Sequence, residues 1–425
     1  MTSLATLQPN LPDYPGAQQP QGPRPDIGKI KLAVRAARPQ DAEGIAKLYR
    51  IAYMAKEPGD AAYHYPFPQF MKESWLQEAM SGADYIWYVA LADQQVVGAV
   101  VGVCNIGNGK QVAEVCGLVV LPTYRRRGLA TRLLTALHAV LVQDCDLILA
   151  ETRTAEAGGW KTFCNFGYAP LGFEPAAHRT PSGFEPMLLQ GLFPNSGAVR
   201  QGAKRGTAAV QALREAVAGV DGDRPIDSAW FPAKSEVSVR KSAVQVSIVP
   251  ADPSMNPFPD PRFSFQGSRT LPLCLYSGNG DVGDRFIKAR YLAVCAEQPL
   301  AMADVLFDRV DRRARIIDLR TVAKAPPLLR VFLRNILGFW NDGPSSVAID
   351  LYADDEALQV ELQGMGFFPT AYYPSIASRG ETPVDGVQMA YLHGFKMEDN
   401  LVWGRQVDWP RAQLVIRRVA LSAPE

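Results

Sequence analysis

Apolar and polar residues alternate along this chain in a pattern that predicts two α/β units. Between residues 30 and 193, short apolar runs typical of strands are separated by segments whose apolar residues recur at helical spacing. The predicted order is strand, helix, two antiparallel strands, buried strand, glycine turn, helix, strand, short helix and two final strands. A strand, helix, strand pattern returns near residues 347–367, which indicates a related unit later in the chain.

Two pairs of similar residues indicate how many sequence positions separate the two units. Gly366 precedes a predicted strand, as Gly167 does in the first unit. Gly366 follows Gly167 by 199 positions (366 − 167). Met389 follows Met187 by 202 positions (389 − 187), so the two registers nearly agree. We therefore expect a diverged repeat of the first unit. The alternative is that two unrelated α/β domains share a short strand and helix pattern.

The chain has 425 residues, which is long enough for two domains. Its composition indicates which segments lie outside them. Six prolines lie among Gln and Gly in the first 29 residues, a composition typical of disorder. We predict a mixed α/β fold in five parts: a disordered segment at 1–29, the first unit at 30–193, a linker with one helix at 194–240, the second unit at 241–395 and a C-terminal extension at 396–425.

Charge and cysteine usage exclude several classes of function. The 44 basic and 43 acidic residues give a net charge of +1, so no long-range field attracts nucleic acid or an anionic membrane. The six cysteines are dispersed without a C-x-x-C pair, which favours reduced thiols over disulfides or a metal site. No basic and apolar leader begins the chain, and no run of 18 apolar residues occurs in it. We expect a cytoplasmic protein that binds a small molecule and no metal.

An R-x-x-G-x-A sequence follows an apolar strand and opens the next predicted helix. The first N–H groups of a helix have no partner within it, and the helix dipole is positive there, so this end can bind a diphosphate. The small residues Gly128 and Ala130 leave that backbone uncovered. A solvated basic turn is the alternative. The residues that we predict to bind phosphate are Arg125, Arg126, Arg127, Gly128, Leu129, Ala130 and Thr131.

This motif resembles the acyl-CoA loop of the GNAT superfamily of acetyltransferases. The order of the surrounding strands and helices resembles that superfamily over residues 32–193. The resemblance implies an α+β mixed sheet and an acyl-CoA co-substrate, acetyl-CoA above all. It also implies that the pantetheine arm pairs with the backbone of Leu118, Val119 and Val120. If the second unit is a degenerate GNAT-like lobe in tandem, Pro327 stands opposite Gly128. Since proline has no N–H to offer a phosphate, we expect one acyl-CoA per chain.

Glu114 precedes Arg125 by eleven residues (125 − 114), the place where histone-type GNAT enzymes carry their catalytic glutamate. Alternation along a strand predicts that Glu114, Cys116 and Leu118 share one face. A carboxyl group buried beside apolar strands has a raised pKa and can accept the proton of an incoming ammonium. The alternative is a glutamate at the sheet edge that pairs with a surface arginine.

Two positions depart from the family's pattern. Phe163 stands where the family usually has a tyrosine that protonates the departing thiolate, and a phenyl ring has no proton to give. Water, Cys164 or Tyr168 then takes this role, or the thiolate leaves unaided. The pantetheine-binding asparagine of the family falls on Glu156.

The segment after the first predicted helix is the one in which GNAT members differ, and we expect it to line the acceptor site. It is rich in aromatic residues, which suit a lid over an apolar or ring-bearing acceptor. Packing between the two units is the alternative. The predicted acceptor-binding residues are Tyr63, His64, Tyr65 and Trp75, with His64 as a candidate base.

These observations favour an acyl-CoA-dependent N-acyltransferase that acts on a small-molecule amine and that can form a homodimer. Two alternatives stay open. One is a sensor or scaffold that binds acyl-CoA without catalysis. The other is a GNAT-type acyltransferase whose acceptor is a hydroxyl, a thiol or a carbon nucleophile.

Overall fold

The computed structural model describes most of the chain after its first 29 residues. It covers residues 30–53, 68–104, 106, 112–155, 157–180, 183–194, 206–219, 245–250, 267–271, 286–295, 298–322, 326–338, 344–380 and 382–424. The described strands form one mixed sheet of 14 strands with helices packed against both faces. This is the mixed α/β class that the sequence predicts.

The first unit contains the predicted order of strands and helices, together with an additional short helix, α2. Its elements are β1 (Leu32–Ala36), α1 (Ala42–Tyr53), α2 (Glu73–Ala79), β2 (Tyr85–Ala92), β3 (Gln95–Val103), β4 (Val112–Val120), α3 (Leu129–Asp144), β5 (Leu147–Arg153), α4 (Ala157–Asn165), β6 (Ala169–Thr180) and β7 (Gly183–Leu192).

The rest of the chain supplies a second set of seven strands and five more helices among the described residues. The elements are α5 (Ala208–Val217), β8 (Gln245–Pro250), β9 (Phe286–Cys295), β10 (Gln298–Asp308), β11 (Arg313–Thr321), α6 (Pro326–Gly338), β12 (Ser346–Tyr352), α7 (Glu356–Gln363), β13 (Phe368–Arg379), β14 (Thr382–Leu392), α8 (Met397–Gly404) and α9 (Pro410–Ser422).

The strand order of the sheet repeats itself about its centre. The spatial order is β1-β2-β3-β4-β5-β7-β6-β13-β14-β12-β11-β10-β9-β8. From either edge inwards, the seven strands of each unit follow their chain order until the last two, which are interchanged. The units meet where β6 pairs antiparallel with β13, at Gly172 and Ala371. We call this pairing the seam. The second unit thus repeats the topology of the first within one continuous sheet.

The offset of 199 positions holds along the strands nearest the seam. Ala371 follows Gly172 by this number (371 − 172), so the two residues that pair there are equivalent. A non-glycine residue with positive φ lies farther along each seam strand, Ala176 at 48° and Ser375 at 53°, again 199 positions apart (375 − 176). The two units therefore share a local irregularity of the backbone as well as the order of their strands.

The offset of 202 positions suggested by the two methionines is wrong. Met187 pairs with Glu174, and the equivalent pair in the second unit is Gly386 with Tyr373. The residue equivalent to Met187 is therefore Gly386, and Met389 pairs with Pro369 nearer the end of β14. Buried strands use methionine wherever volume must be filled, so a shared methionine is a poor marker of register.

Helix amphipathicity explains how the first unit covers both faces of its sheet. Leu133, Leu137 and Leu141 recur at helical spacing on α3 and are buried against one face. Ile45 and Tyr49 of α1 are buried against the opposite face. The strands between these helices are apolar on both faces, which is why they appear in the sequence as continuous hydrophobic runs.

Helix α5 lies in the predicted linker, yet it belongs to the interior. Val210, Leu213 and Val217 on its apolar face are fully buried. The helix contacts α9 and both seam strands, and α9 in turn packs on β6 and β13. The C-terminal extension therefore joins α5 in covering the seam.

Candidate active site

The parallel strands β4 and β5 separate after a short stretch of pairing. They pair from Val112 with Leu147 to Glu114 with Leu149. Beyond that point β4 continues to Val120 paired with β3, while β5 continues to Arg153 paired with β7. The backbone of β4 after Glu114 therefore has no strand on its β5 side among the described residues. A gap of this kind can receive an extended ligand as an additional strand.

A bulge lies in β4 just beyond the point of separation. Val101 of β3 pairs with Cys116 and Ala99 pairs with Val119, so β4 contains one residue more than its partner. Gly117 has a φ of 64°, a conformation that glycine adopts without steric cost. The carbonyl of Gly117 accepts a hydrogen bond from the hydroxyl of Tyr49.

The bulge reverses the alternation of side chains along β4. Cys116 packs with the core under α1, whereas Leu118 packs with the core under α3. The expectation that Glu114, Cys116 and Leu118 share a face is therefore wrong for Leu118. The backbone of Leu118, Val119 and Val120 nevertheless lies along the open side of β4, where the pantetheine arm is predicted.

The entrance of α3 is open to solvent. The first helical hydrogen bond runs from the N–H of Arg132 to the carbonyl of Gly128, so the N–H groups of Leu129, Ala130 and Thr131 precede the bonded part of the helix. Gly128 is exposed, its φ is 72°, and no described atom lies within 4 Å of the place that a Cβ would take. An uncovered helix start of this kind can bind an anion.

The three arginines of the loop differ in their contacts. The Arg125 Nε donates a hydrogen bond of 3.1 Å to the carbonyl of Val120, which ties the loop to the end of β4. Arg126 is exposed and has a positive φ of 59°. Within the described ranges, neither Arg126 nor Arg127 forms an ion pair with a carboxylate.

Glu114 lies at the point where β4 and β5 separate, and only 3% of it is exposed. Its Oε2 has no hydrogen-bond partner among the described residues. Burial raises the pKa of this carboxyl well above its usual range, the negative charge of Glu151 raises it further, and Arg315 opposes both. Because β4 is an interior strand, the alternative of a glutamate at the sheet edge is wrong.

The candidates for protonating the thiolate are placed in different surroundings. Phe163 is buried in the core under α3, edge-on to the ring of Tyr168. The hydroxyl of Tyr168 is hydrogen-bonded to Nε2 of His138 at 2.8 Å, and burial raises its pKa well above the usual value. Cys164 is partly buried, and its pKa is raised by burial against an opposing effect of Arg411. Glu156 lies outside the described residues.

The predicted acceptor residues fall into two groups. Tyr63, His64 and Tyr65 lie outside the described residues. Trp75 packs between Phe70 and Tyr85, with ring centroids 5.6 Å and 5.1 Å away. Its ring is thus part of the core under α1.

Sequence reasoning missed a buried cluster of charged groups that lies between the two units. Glu174 of β6 reaches Arg313 and Arg315 of β11, at 3.4 Å and 3.6 Å. Arg315 also forms an ion pair of 2.7 Å with Asp350 of β12. A small cavity lies beside Glu174 and these arginines. The signal in the sequence was the presence of charged residues inside runs that otherwise predict buried strands.

Comparison with known families bears directly on this geometry. The acetyltransferase (GNAT) family model matches residues 46–168, a range that includes the separated strands, Glu114 and the entrance of α3. This chain carries a GNAT acetyltransferase domain. The matched range ends before the second unit begins.

Solved structures resemble the GNAT domain over part of the chain. An acetyltransferase of the GNAT family from Streptococcus pneumoniae is 17% identical, with 38% of this chain and 99% of that chain covered and a TM-score of 0.32. A putative acetyltransferase from Salmonella typhimurium with acetyl-CoA is 15% identical, with 40% of this chain and 99% of that chain covered and a TM-score of 0.33. Arabidopsis thaliana NAA60 in complex with acetyl-CoA is 14% identical, with 39% of this chain and 100% of that chain covered and a TM-score of 0.32. No curated protein matches the chain significantly.

Two features are absent from the part of the chain that the structure describes. No group of three or more His, Cys, Asp or Glu side chains there is arranged to hold a metal ion. None of the described helices has the length and apolar character needed to cross a membrane.

Proposed function

We propose that this GNAT enzyme transfers the acetyl group of acetyl-CoA to the amine of a small molecule, by direct attack of the amine on the thioester. The observation that carries this proposal is the arrangement along β4. A buried carboxyl stands where β4 and β5 separate, an open backbone edge follows it, and an uncovered helix entrance lies at the far end. These three features suit a base, a pantetheine arm and a diphosphate respectively.

The loop between β4 and α3 binds the nucleotide end of the donor. We expect backbone N–H groups from Arg126 to Thr131 to donate to the diphosphate, and the guanidinium groups of Arg126 and Arg127 add positive charge. The open edge of β4 at Leu118–Val120 aligns the arm so that the thioester lies near Glu114. One backbone N–H of this edge donates to the thioester carbonyl oxygen as negative charge develops there.

Glu114 takes the proton from the attacking amine, directly or through a water molecule. An ammonium has no lone pair, so the acceptor must lose a proton before it can form the new C–N bond. The raised pKa of Glu114 makes its carboxylate a stronger base than an ordinary exposed glutamate. As the C–S bond breaks, the attacking nitrogen loses its second proton to solvent and becomes the amide nitrogen. Because Phe163 is buried and has no acidic proton, we propose that the departing thiolate of CoA takes up a proton from solvent.

We propose further that the second unit is a diverged GNAT-like lobe that binds no acyl-CoA. Its repeat of the strand order supports this relationship. Helix α6, which follows β11 as α3 follows β4, begins with Pro326 and Pro327, and neither proline has an N–H for a phosphate. A cytoplasmic location and a homodimer stay predictions.

The test is release of free thiol from acetyl-CoA in the presence of a panel of small amines, with the product identified by mass. We expect acetylated amine from the native protein. Glu114→Gln, which keeps the size of the side chain, should reduce kcat/KM by about 10²-fold or more. Glu78→Gln, the same change on an exposed residue of α2, should leave it unchanged.

Two results would overturn these assignments. If the native protein binds acetyl-CoA but acetylates no amine, it is a sensor or acts on another nucleophile. If Glu114→Gln retains full kcat/KM, Glu114 is not the base. The second result leaves the acetyltransferase assignment intact.

A further inference from the structure

The second unit contains the same separation of parallel strands as the first. In the first unit, Glu114 pairs with Leu149. In the second unit, Arg315 pairs with Ala348, which follows Leu149 by 199 positions (348 − 149). After one further pair, β11 stays beside β10 and β12 stays beside β14, so the two strands separate. We call the opening between β11 and β12 the second gap, because its position is equivalent to that of the gap in the first unit.

A segment of the same chain, residues 267–271, lies in the second gap, and we call it the inserted segment. On one side it contacts β12. Thr270 forms an antiparallel bridge with Leu351. The N–H of Leu271 donates to the carbonyl of Asp350 at 2.8 Å. The inserted segment thus extends the sheet at the edge of β12 that β11 leaves open.

On its other side the inserted segment contacts β11. The N–H of Arg269 donates to the carbonyl of Leu319 at 2.9 Å. The hydroxyl of Thr270 donates to the carbonyl of Ile317 at 3.0 Å. The inserted segment is therefore hydrogen-bonded to both of the strands that separate, in the manner of an added strand.

Two polar side chains anchor the inserted segment to the second unit. The hydroxyl of Ser268 donates to the carboxylate of Asp318 in β11 at 2.6 Å. The guanidinium of Arg269 donates two hydrogen bonds, of 2.7 Å and 3.0 Å, to the carboxylate of Asp355 at the start of α7. Because paired bonds of this kind fix orientation as well as distance, they favour one register of the segment in the gap.

A glycine of β14 leaves room for the side chain of Leu271. A Cβ on Gly386 would lie 2.4 Å from Cδ1 of Leu271, closer than carbon atoms that are not bonded to each other approach. Leu271 is only 3% exposed, so this contact belongs to the interior. The residue equivalent to Gly386 in the first unit is Met187. The second unit thus has the smallest residue where the inserted segment packs, whereas the first unit has a large one.

We propose that the inserted segment is a permanent internal occupant of the second gap: it fills the place that an extended ligand would take and so closes the gap to such a ligand. An extended backbone suits the gap because its N–H and carbonyl groups reach the strands on both sides, as the amide groups of a pantetheine arm also can. This inference deepens the proposal that the second unit binds no acyl-CoA. It supplies a cause that does not depend on the prolines of α6.

The first test is amide hydrogen exchange of the full chain without any ligand, followed by mass spectrometry of its fragments. In a permanent occupant, the N–H groups of Arg269 and Leu271 should exchange at least about 10²-fold more slowly than in an unstructured peptide. Gly386→Ala places a Cβ against Leu271 and should remove most of that protection, while fragments from β14 itself stay protected. Rapid exchange of the inserted segment in the native protein would overturn the proposal.

The control for this substitution is Gly338→Ala at the end of α6. It makes the same change in the same unit, at a place where no described atom lies within 4 Å of the new Cβ. The protection of the inserted segment should therefore stay as in the native protein. Equal protection in Gly386→Ala and Gly338→Ala would show that the packing of Leu271 on β14 does not hold the segment in the gap.

The second test asks whether the gap accepts a strand from outside. In the double variant Arg269→Pro with Leu271→Pro, neither residue has an N–H to donate to β11 or β12, so the inserted segment should leave the gap. The synthetic peptide Gly-Ser-Arg-Thr-Leu, acetylated and amidated at its ends, should then raise the Tm of the variant as its concentration rises. A peptide with glutamate in place of arginine cannot pair with Asp355 and should not raise it.

The native protein is the reference for this second test. Its gap is already filled, so neither peptide should change its Tm. The proposal is wrong if the arginine peptide stabilises the native protein, or if it fails to stabilise the double variant.

A third measurement separates the inserted segment from the prolines. Pro326→Ala together with Pro327→Ala gives the start of α6 its N–H groups but leaves the gap filled. Calorimetric titration of this variant should still give one equivalent of acetyl-CoA, and a second equivalent would overturn the proposal. The exchange and peptide experiments involve no acetyl transfer. Their failure would leave the proposed acetyltransferase function intact, and their success would stand even if no amine is acetylated.

Discussion

Gly172 of β6 and Ala371 of β13 face each other so closely that a Cβ on Gly172 would lie 2.4 Å from the Cβ of Ala371. Two carbon atoms that are not bonded to each other do not approach so closely, and the carbonyl oxygen of Thr370 would lie 2.6 Å away as well. Gly172→Val should therefore push the two units apart. We expect a loss of about 1–3 kcal/mol in the free energy of unfolding, measured by urea denaturation.

The control for this substitution is Gly158→Ala in α4. No described atom lies within 4 Å of a Cβ at Gly158, and its backbone is helical. Because alanine favours helix more than glycine does, stability should rise by about 0.5–1 kcal/mol. A Gly172→Val protein as stable as the native one would show that the close contact at the seam is not required.

The helix entrance at Gly128 allows a test of charge at nearly constant shape. Aspartate and asparagine tolerate a positive φ better than most residues and both suit the start of a helix. Gly128→Asp places a carboxylate beside the predicted diphosphate, whereas Gly128→Asn adds almost the same atoms without charge. We expect the Kd for acetyl-CoA to rise at least tenfold more in Gly128→Asp than in Gly128→Asn, by isothermal titration calorimetry. Equal affinities would place the phosphates elsewhere.

The two helix entrances predict the number of acetyl-CoA molecules bound per chain. Helix α3 begins with three uncommitted N–H groups, whereas α6 begins with two prolines. Calorimetric titration of the native protein should give one equivalent of acetyl-CoA. A second equivalent that survives in Gly128→Asp would contradict the assignment of the second unit as silent.

The influence of Glu151 on Glu114 predicts a pH effect of known sign. The negative charge of Glu151 raises the pKa of Glu114, so Glu151→Gln should lower it. The carboxylate of Glu114 then persists to lower pH, and the acid limb of kcat/KM should move to lower pH. Glu73→Gln on the exposed surface of α2 serves as the control and should not move it. An upward shift for Glu151→Gln would contradict the electrostatic account.

Local patterns in the sequence were sufficient to predict the strands of the first unit, three of its four helices and the glycine turn. They left two alternatives open for Glu114, a buried carboxyl and a glutamate at the sheet edge. They failed where backbone geometry intervened. Gly117 looked like an ordinary strand residue, and its positive φ produced the bulge that turned Leu118 to the other face. A glycine inside a strand pattern is itself a signal for a bulge, which would have corrected the prediction.

Contacts between distant segments could not be predicted in the same way. The pairing of β6 with β13 joins residues 199 positions apart, and no local pattern encodes it. Arg315 lies in β11, and its neighbours in the sequence do not indicate which residues it contacts. It approaches Glu174, which is far away in the sequence, and only the repeat makes it the equivalent of Glu114.

The seam joins each unit to the other through the same strand, with equivalent residues directly opposed. This is the isologous contact of a symmetric dimer, here made within a single polypeptide. In a dimer of identical subunits, every substitution changes both sites at once. Covalent fusion removes that constraint, so one copy can keep a carboxyl group at Glu114 while the other carries the guanidinium of Arg315 at the equivalent position.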